Sequence, residues 1–94
     1  QSGNGNYAKI DQAGNLDRAF IEQIGSNNDS FIEQLDAAGS GNDANAVQSG
    51  DDNLSEITQS GIGNEADLLQ AGSDNESFIT QAGIGNTATV TQGM

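Results

Sequence analysis

Short stretches of the chain alternate strictly between constant and variable positions. In residues 64–70, for example, Asn64, Ala66, Leu68 and Gln70 occupy every second position, and the residues between them differ from one stretch to the next. A period of two predicts a β-strand with one constant face. Because only the intervening residues vary freely, we expect the constant face to lie inside and the variable face outside.

The stretches recur with a period of eleven residues, which the glutamines mark most clearly. The single longer step, fourteen residues between Gln34 and Gln48, predicts a three-residue insertion near 35–37 that bulges outward without breaking the pattern. The count gives eight units of one strand each. The expected strands are residues 6–12, 17–23, 28–34, 42–48, 53–59, 64–70, 75–81 and 86–92.

Glycine has a fixed place in the short segments between the strands, and glycine is favoured where the backbone needs a positive φ. The predicted turn glycines are Gly3, Gly14, Gly25, Gly39, Gly50, Gly61, Gly72 and Gly83. Alternate units differ, because a second glycine such as Gly63 is replaced in the units between by Asn or Asp, as at Asp52. The full repeat is therefore 22 residues, and it predicts a single all-β domain over residues 1–94, a two-sheet β-solenoid of four coils that is cross-β when assembled.

In such a solenoid each residue lies over the one 22 positions later, so that Gln stacks on Gln and Asn on Asn. Buried amides need hydrogen-bond partners, and identical amides in neighbouring coils can supply them. The predicted inward amide ladder consists of Gln12, Gln23, Gln34, Gln48, Gln59, Gln70, Gln81, Gln92, Asn6, Asn28, Asn42, Asn53, Asn64, Asn75 and Asn86. The predicted inward apolar core is thin and consists of Ile10, Ile21, Ile32, Ile57, Leu68, Ile79 and Val90.

Composition narrows the range of functions. The 94 residues include no Cys and no His, and Lys9 and Arg18 are the only basic residues. Disulfides and thiolate metal sites are excluded, and the usual groups of acid–base and nucleophilic catalysis are missing. The net charge of −12 disfavours nucleic acids and anionic membranes as partners. We therefore expect no enzyme activity, no cofactor, no metal site and no membrane insertion.

Low hydrophobicity with high net charge is also typical of disordered chains, so the sequence leaves open whether the isolated chain is folded. The strict period and the absence of Pro favour a hydrogen-bonded backbone. The pattern continues to both ends without a capping unit and fills a whole number of coils. We expect the open strand edges to support head-to-tail self-assembly into a homopolymer.

Three units read Q-x-G-x-G-N-x-A-x3-Q in full, at residues 1–12, 59–70 and 81–92, and a fourth has Ala37 in place of the leading Gln. In this motif the chain resembles the curlin family. The resemblance implies a structural subunit of extracellular functional amyloid fibres on the surface of a bacterium, used for biofilm matrix and adhesion. It also implies a nucleator subunit and secretion and chaperone machinery as partners. No stretch matches a signal peptide or the family's secretion-targeting segment.

Three strands, 28–34, 53–59 and 75–81, read N-x-S-x-I-x-Q, which looks more like a nucleator-type curlin than the major subunit, and both roles stay open. Two alternatives belong to another class. An ice-binding solenoid needs an outward Thr array, but only Thr58 and Thr80 form a stacked pair. A calcium-binding β-roll has a nine-residue repeat with acids in register, whereas the turn acids of this chain are scattered.

Overall fold

The computed structural model describes residues 2–35 and 41–93, which form eight β-strands and no helix. The strands are β1 (Tyr7–Ala13), β2 (Arg18–Ser26), β3 (Asp29–Leu35), β4 (Asp43–Asp51), β5 (Leu54–Ile62), β6 (Glu65–Ser73), β7 (Glu76–Ile84) and β8 (Thr87–Gln92). Each begins one residue after the Asn or Asp that opens its unit, and five run three residues beyond the Gln. They run on because the arc residues of neighbouring coils pair as well, as Gly61 does with Gly83.

The strands form two parallel four-stranded sheets. The odd sheet has the order β1-β3-β5-β7 and the even sheet the order β2-β4-β6-β8. Identical positions pair across each sheet, as Ile57 does with Ile79 and Ala44 with Ala66. The chain therefore winds as a β-solenoid of about four coils with a 22-residue repeat, and the predicted fold class is confirmed.

Register is kept across the place where the extra residues enter. Gln23 pairs with Gln48 in the even sheet, and Gln34 pairs with Gln59 in the odd sheet. Of the insertion expected near 35–37, only Leu35 is described, as the last residue of β3; the rest of it, and the predicted turn glycine Gly39, lie outside the described residues.

The core lies between the two sheets and is narrow. Its buried apolar residues are Ile32, Ala44, Ala46, Ile57, Ala66, Leu68 and Ile79. Of the other predicted core residues, Ile21 and Val90 are half-buried and Ile10 is 44% exposed. These three belong to the first and last coils, where one side of the strand has no neighbouring coil within the chain.

Each arc that is described in full turns through two positions of positive φ. The first is a predicted turn glycine, such as Gly61 with φ 115°, and a Cβ there would lie 2.0 Å from the carbonyl oxygen of Gly83. The second has φ near 65° and is glycine at Gly63 but Asp at Asp52. Since Asn and Asp tolerate the left-handed region better than other side chains, this explains the alternation in the sequence. Leu16 occupies the same position with φ 65°.

Candidate functional site

The glutamines form two columns of amides, one under each sheet, which are buried except at the ends, where Gln12 is exposed and Gln92 is half-buried. In every column the Nε2 of one coil donates to the Oε1 of the next coil, always in the direction of the chain. The odd column runs Gln12, Gln34, Gln59, Gln81 with distances of 2.7, 2.9 and 2.8 Å, and the even column runs Gln23, Gln48, Gln70, Gln92 with 2.8 Å at each step.

The second N–H of these amides crosses the interior. Gln59 Nε2 in β5 also donates to the carbonyl oxygen of Asp43 in β4 at 3.1 Å, and Gln70 Nε2 in β6 donates to that of Leu54 in β5 at 3.0 Å. Because β4 and β5 lie in different sheets, one side chain joins two coils and two sheets. These buried amides thereby find hydrogen-bond partners within the protein.

The asparagines lie on the inner face beside the arcs, but they bond differently from the expected side-chain ladder. Asn64 Oδ1 accepts from the backbone N–H of Asn86 at 3.0 Å, and its Nδ2 donates to the carbonyl oxygens of Ser60 and Gly83, both at 3.1 Å. Asn is one methylene shorter than Gln and stands next to an arc, so backbone groups are its nearest partners. In the described arcs, the asparagines therefore form hydrogen bonds both within their own arc and to the next coil.

Two inner positions add contacts that the sequence pattern did not specify. The hydroxyls of Ser30 and Ser55 share a hydrogen bond of 2.7 Å inside the odd sheet. Asp17 stands where other units have Asn, and its Oδ1 accepts from the N–H groups of Gly41 and Asn42 at 3.3 and 3.0 Å. Its Oδ2 is buried without a hydrogen-bond partner.

The two ends of the solenoid carry opposite halves of these bonds. At the first end, formed by β1 and β2, the Oε1 of Gln12 has no donor among the described residues. At the last end, formed by β7 and β8, Gln81 Nε2 has no acceptor there and Gln92 Nε2 donates only to the carbonyl oxygen of Glu76. The first end therefore presents an amide acceptor and the last end presents amide donors.

The outer faces do not combine residues into a metal or ice-binding array. Within the described residues, no group of three or more His, Cys, Asp or Glu side chains could hold a metal ion. Thr58 pairs with Thr80, but Thr87, Thr89 and Thr91 of β8 pair with Glu65, Asp67 and Leu69 of β6. Across residues 2–35 and 41–93 there is also no helix with the length and hydropathy of a membrane span.

The profile of the curlin associated repeat matches two segments of the chain, residues 1–35 and 61–93, which make up more than half of it. The chain belongs to the curlin family. Curlin subunits are secreted structural proteins that self-assemble into cell-surface fibres, so the protein is a curli-type fibre subunit. Strands β4 and β5, which lie between the two matches, have the same register as the rest of the curlin solenoid. No curated protein matches the chain.

Proposed function

We propose that this curlin subunit polymerises head to tail, with β1 and β2 of one copy docking on β7 and β8 of the copy before it. The fibres would be extracellular amyloid that serves as biofilm matrix and adhesive on a bacterial surface. The observation that carries the proposal is the complementarity of the two ends. The first end offers the Oε1 of Gln12, and the last end offers the Nε2 of Gln81.

Continuing the 22-residue register across a junction places Gln12 of the next copy over Gln81. The odd glutamine column then continues without a change of direction. Asn75 Oδ1, at the last end, would accept from the N–H of Asn6 of the next copy, as Asn53 Oδ1 accepts from Asn75 within the chain. Each satisfied hydrogen bond contributes about 0.5–1.5 kcal/mol net.

Apolar burial supports the same arrangement. Ile10, Ile21 and Val90 are the predicted core residues that stay accessible in a single copy. All three lie at the open ends, where a docked copy would cover them. Covering an aliphatic side chain stabilises the assembly by about 25 cal/mol per Å² of apolar surface.

A second candidate role is that of a nucleator-type subunit, which would seed fibres of another curlin. The observation that favours it is the Asn-x-Ser opening of β3, β5 and β7, whose serines Ser30 and Ser55 bond directly. A nucleator would use the same ends, with a different curlin in the next position. Secretion and chaperone proteins complete the proposed set of partners.

The proposal is tested by cryo-EM of fibres grown at neutral pH from the purified chain. Four rungs per copy at ~4.7–4.8 Å spacing predict an axial subunit repeat of about 19 Å. A 4.7–4.8 Å repeat with copies joined through β7–β1 and β8–β2 contacts is the expected result. Fibres in which the sheets of successive copies do not continue, or a chain that stays monomeric, would contradict head-to-tail polymerisation.

A further inference from the structure

We propose that Lys9 is the specificity residue of the junction between copies, where it sits between two phenylalanines and pairs with Glu76 of the preceding copy. The inference rests on the proposed head-to-tail function and adds the side chains that recognise the next copy. The positive charges of the chain are concentrated at one end of the solenoid. Lys9 and Arg18 are the only basic residues of the chain, and both belong to the first coil.

The outward row that contains Lys9 defines its neighbours. Within the chain, Lys9 of β1 pairs with Phe31 of β3, Phe31 with Glu56 of β5, and Glu56 with Phe78 of β7. The register of the proposed junction adds Lys9 of the next copy directly beside Phe78. In the fibre each Lys9 would therefore have Phe31 of its own copy on one side and Phe78 of the preceding copy on the other.

Phe78 is available for this contact. Its side chain is 56% exposed, because β7 is the last strand of the odd sheet. An ammonium group beside an aromatic face gains a cation–π attraction, and the aliphatic stem of lysine can cover the ring at the same time. Strand β1 of the next copy, docked on β7, would therefore cover the exposed ring of Phe78 at the end of the solenoid.

Glu76 is placed to reach Lys9 of the next copy diagonally across the junction, as a pair within the chain shows. Phe31 lies in the strand next to Tyr7, two residues beyond the residue that pairs directly with Tyr7. The ring centroids of Tyr7 and Phe31 are 5.4 Å apart. Glu76 and Lys9 of the next copy have the same relative positions across the junction. The contact between Tyr7 and Phe31 shows that side chains on this diagonal meet, so the Glu76 carboxylate and the Lys9 ammonium are expected to pair.

Charge also disfavours other arrangements. The chain carries a net charge of −12, so most contacts between outer faces bring like charges together. Docking in the proposed register places the basic residues of the first coil against the last coil. Glu76 is the single acidic residue in the two strands of that coil. The contact thus fixes which end receives the next copy and in which register.

A complementation experiment tests the contact. Lys9→Glu and Glu76→Lys each place like charges at every junction of their own fibres. In an equimolar mixture, strictly alternating copies restore an opposite-charge pair at every junction, and copies in random order restore it at half of the junctions. Lys9 and Glu76 are both exposed, so neither substitution disturbs the core. Fibre mass is measured by sedimentation, and the critical concentration is determined for each variant, for the mixture and for the unchanged chain.

We expect each variant alone to raise the critical concentration about three- to tenfold, as exposed ion pairs and cation–π contacts of this kind allow. The mixture should recover a large part of that loss, and the recovery should fall at high salt. The matched control is the double variant with Lys9→Glu and Glu56→Lys in one chain, which has the net charge of the unchanged chain but still places like charges at every junction, because Glu56 lies in β5, away from both ends.

Three results would overturn the inference. If the unchanged chain forms fibres but the mixture gains nothing over the separate variants, the contact is absent while the proposed function stands. If the double variant with Lys9→Glu and Glu56→Lys recovers as much as the mixture, net charge and not the junction explains the effect. If the unchanged chain forms no fibres, the proposed function fails and the contact fails with it.

Discussion

Gln59 donates from one nitrogen to the Oε1 of Gln81 at 2.8 Å and to the carbonyl oxygen of Asp43 at 3.1 Å. The first bond joins two coils and the second joins two sheets. One glutamine side chain of this curlin therefore stabilises both the stacking of coils and the packing of the two sheets. The consequence is that the fold depends on amides that have no alternative partner in a dry interior.

Gln59→Leu is therefore expected to destabilise the fold strongly. The substitution keeps a similar volume, but it leaves Gln34 Nε2, Gln81 Oε1 and the carbonyl oxygen of Asp43 without their partner. Because each unsatisfied buried group costs about 1–3 kcal/mol, we expect the free energy of unfolding to fall by about 3–5 kcal/mol. Urea unfolding at concentrations below those of assembly measures it.

Gln92→Leu is the matched control for Gln59→Leu. Gln92 is half-buried at the open last end, and its loss deprives only Gln70 Nε2 and the exposed carbonyl of Glu76. Water can supply much of the lost hydrogen bonding at this open end, so we expect the free energy of unfolding to fall by about 1 kcal/mol. Equal losses for the two variants would show that burial of the amide column contributes little.

Asp17→Asn is expected to stabilise the protein. Asp17 Oδ2 is buried without a partner, whereas the Nδ2 of Asn64 donates to the carbonyl oxygen four residues earlier. The amide would gain the equivalent bond to Ala13 and remove a charge, with an expected gain of about 1–3 kcal/mol. Thermal unfolding measures it. Asp29→Asn removes an exposed charge outside the Asn position and is the control; a comparable gain there would contradict the argument.

Leu16→Gly is expected to stabilise the first arc. Leu16 has φ 65° and is 83% exposed, so it has backbone strain without compensating burial. A left-handed conformation costs a side chain about 1–2 kcal/mol, part of which is offset by the greater freedom of glycine in the unfolded chain. We expect a net gain of about 0.5–1 kcal/mol in urea unfolding. A loss of stability would indicate that the leucine makes a contact that outweighs the strain.

The stacking of Gln48 on Gln70 follows from the sequence, because a residue that recurs at each period must meet its own copy in a solenoid. The bonds of Asn64 did not follow, because the period determines which residues stack but not whether a shorter amide reaches its counterpart or the backbone. The exposure of Ile10 likewise depends on which coil has no neighbour. The strain at Leu16 is a backbone angle, which the repeat pattern does not specify.

Gly83→Ala is expected to block addition of the next copy while leaving the single copy folded. A Cβ at Gly61 would lie 2.0 Å from the Gly83 carbonyl oxygen, but a Cβ at Gly83 meets only Asn86 Nδ2, at 3.3 Å. In the proposed register, Gly14 of the next copy stacks on Gly83 in the same way as Gly83 stacks on Gly61 within one chain. A Cβ at position 83 would therefore clash with a backbone carbonyl oxygen only at the junction between copies. Alanine at position 83 would also be strained, because the φ angle there is 122°. This strain destabilises the last arc of the variant by about 1–3 kcal/mol.

Gly85→Ala separates this strain from the clash. Gly85 also has positive φ, 68°, and a Cβ there meets nothing within 4 Å. Gly63, its counterpart one coil earlier, has an equally open surrounding although a coil covers it. In the proposed register Leu16 of the next copy lies beside position 85, and its exposed side chain can move away from a methyl group, whereas the backbone carbonyl next to position 83 cannot. We expect thioflavin fluorescence and sedimentation to show fibres for Gly85→Ala and none, or at least tenfold slower growth (about 1.4 kcal/mol), for Gly83→Ala. Equal growth of the two variants would mean that the last end does not receive the next copy in the register of the coils.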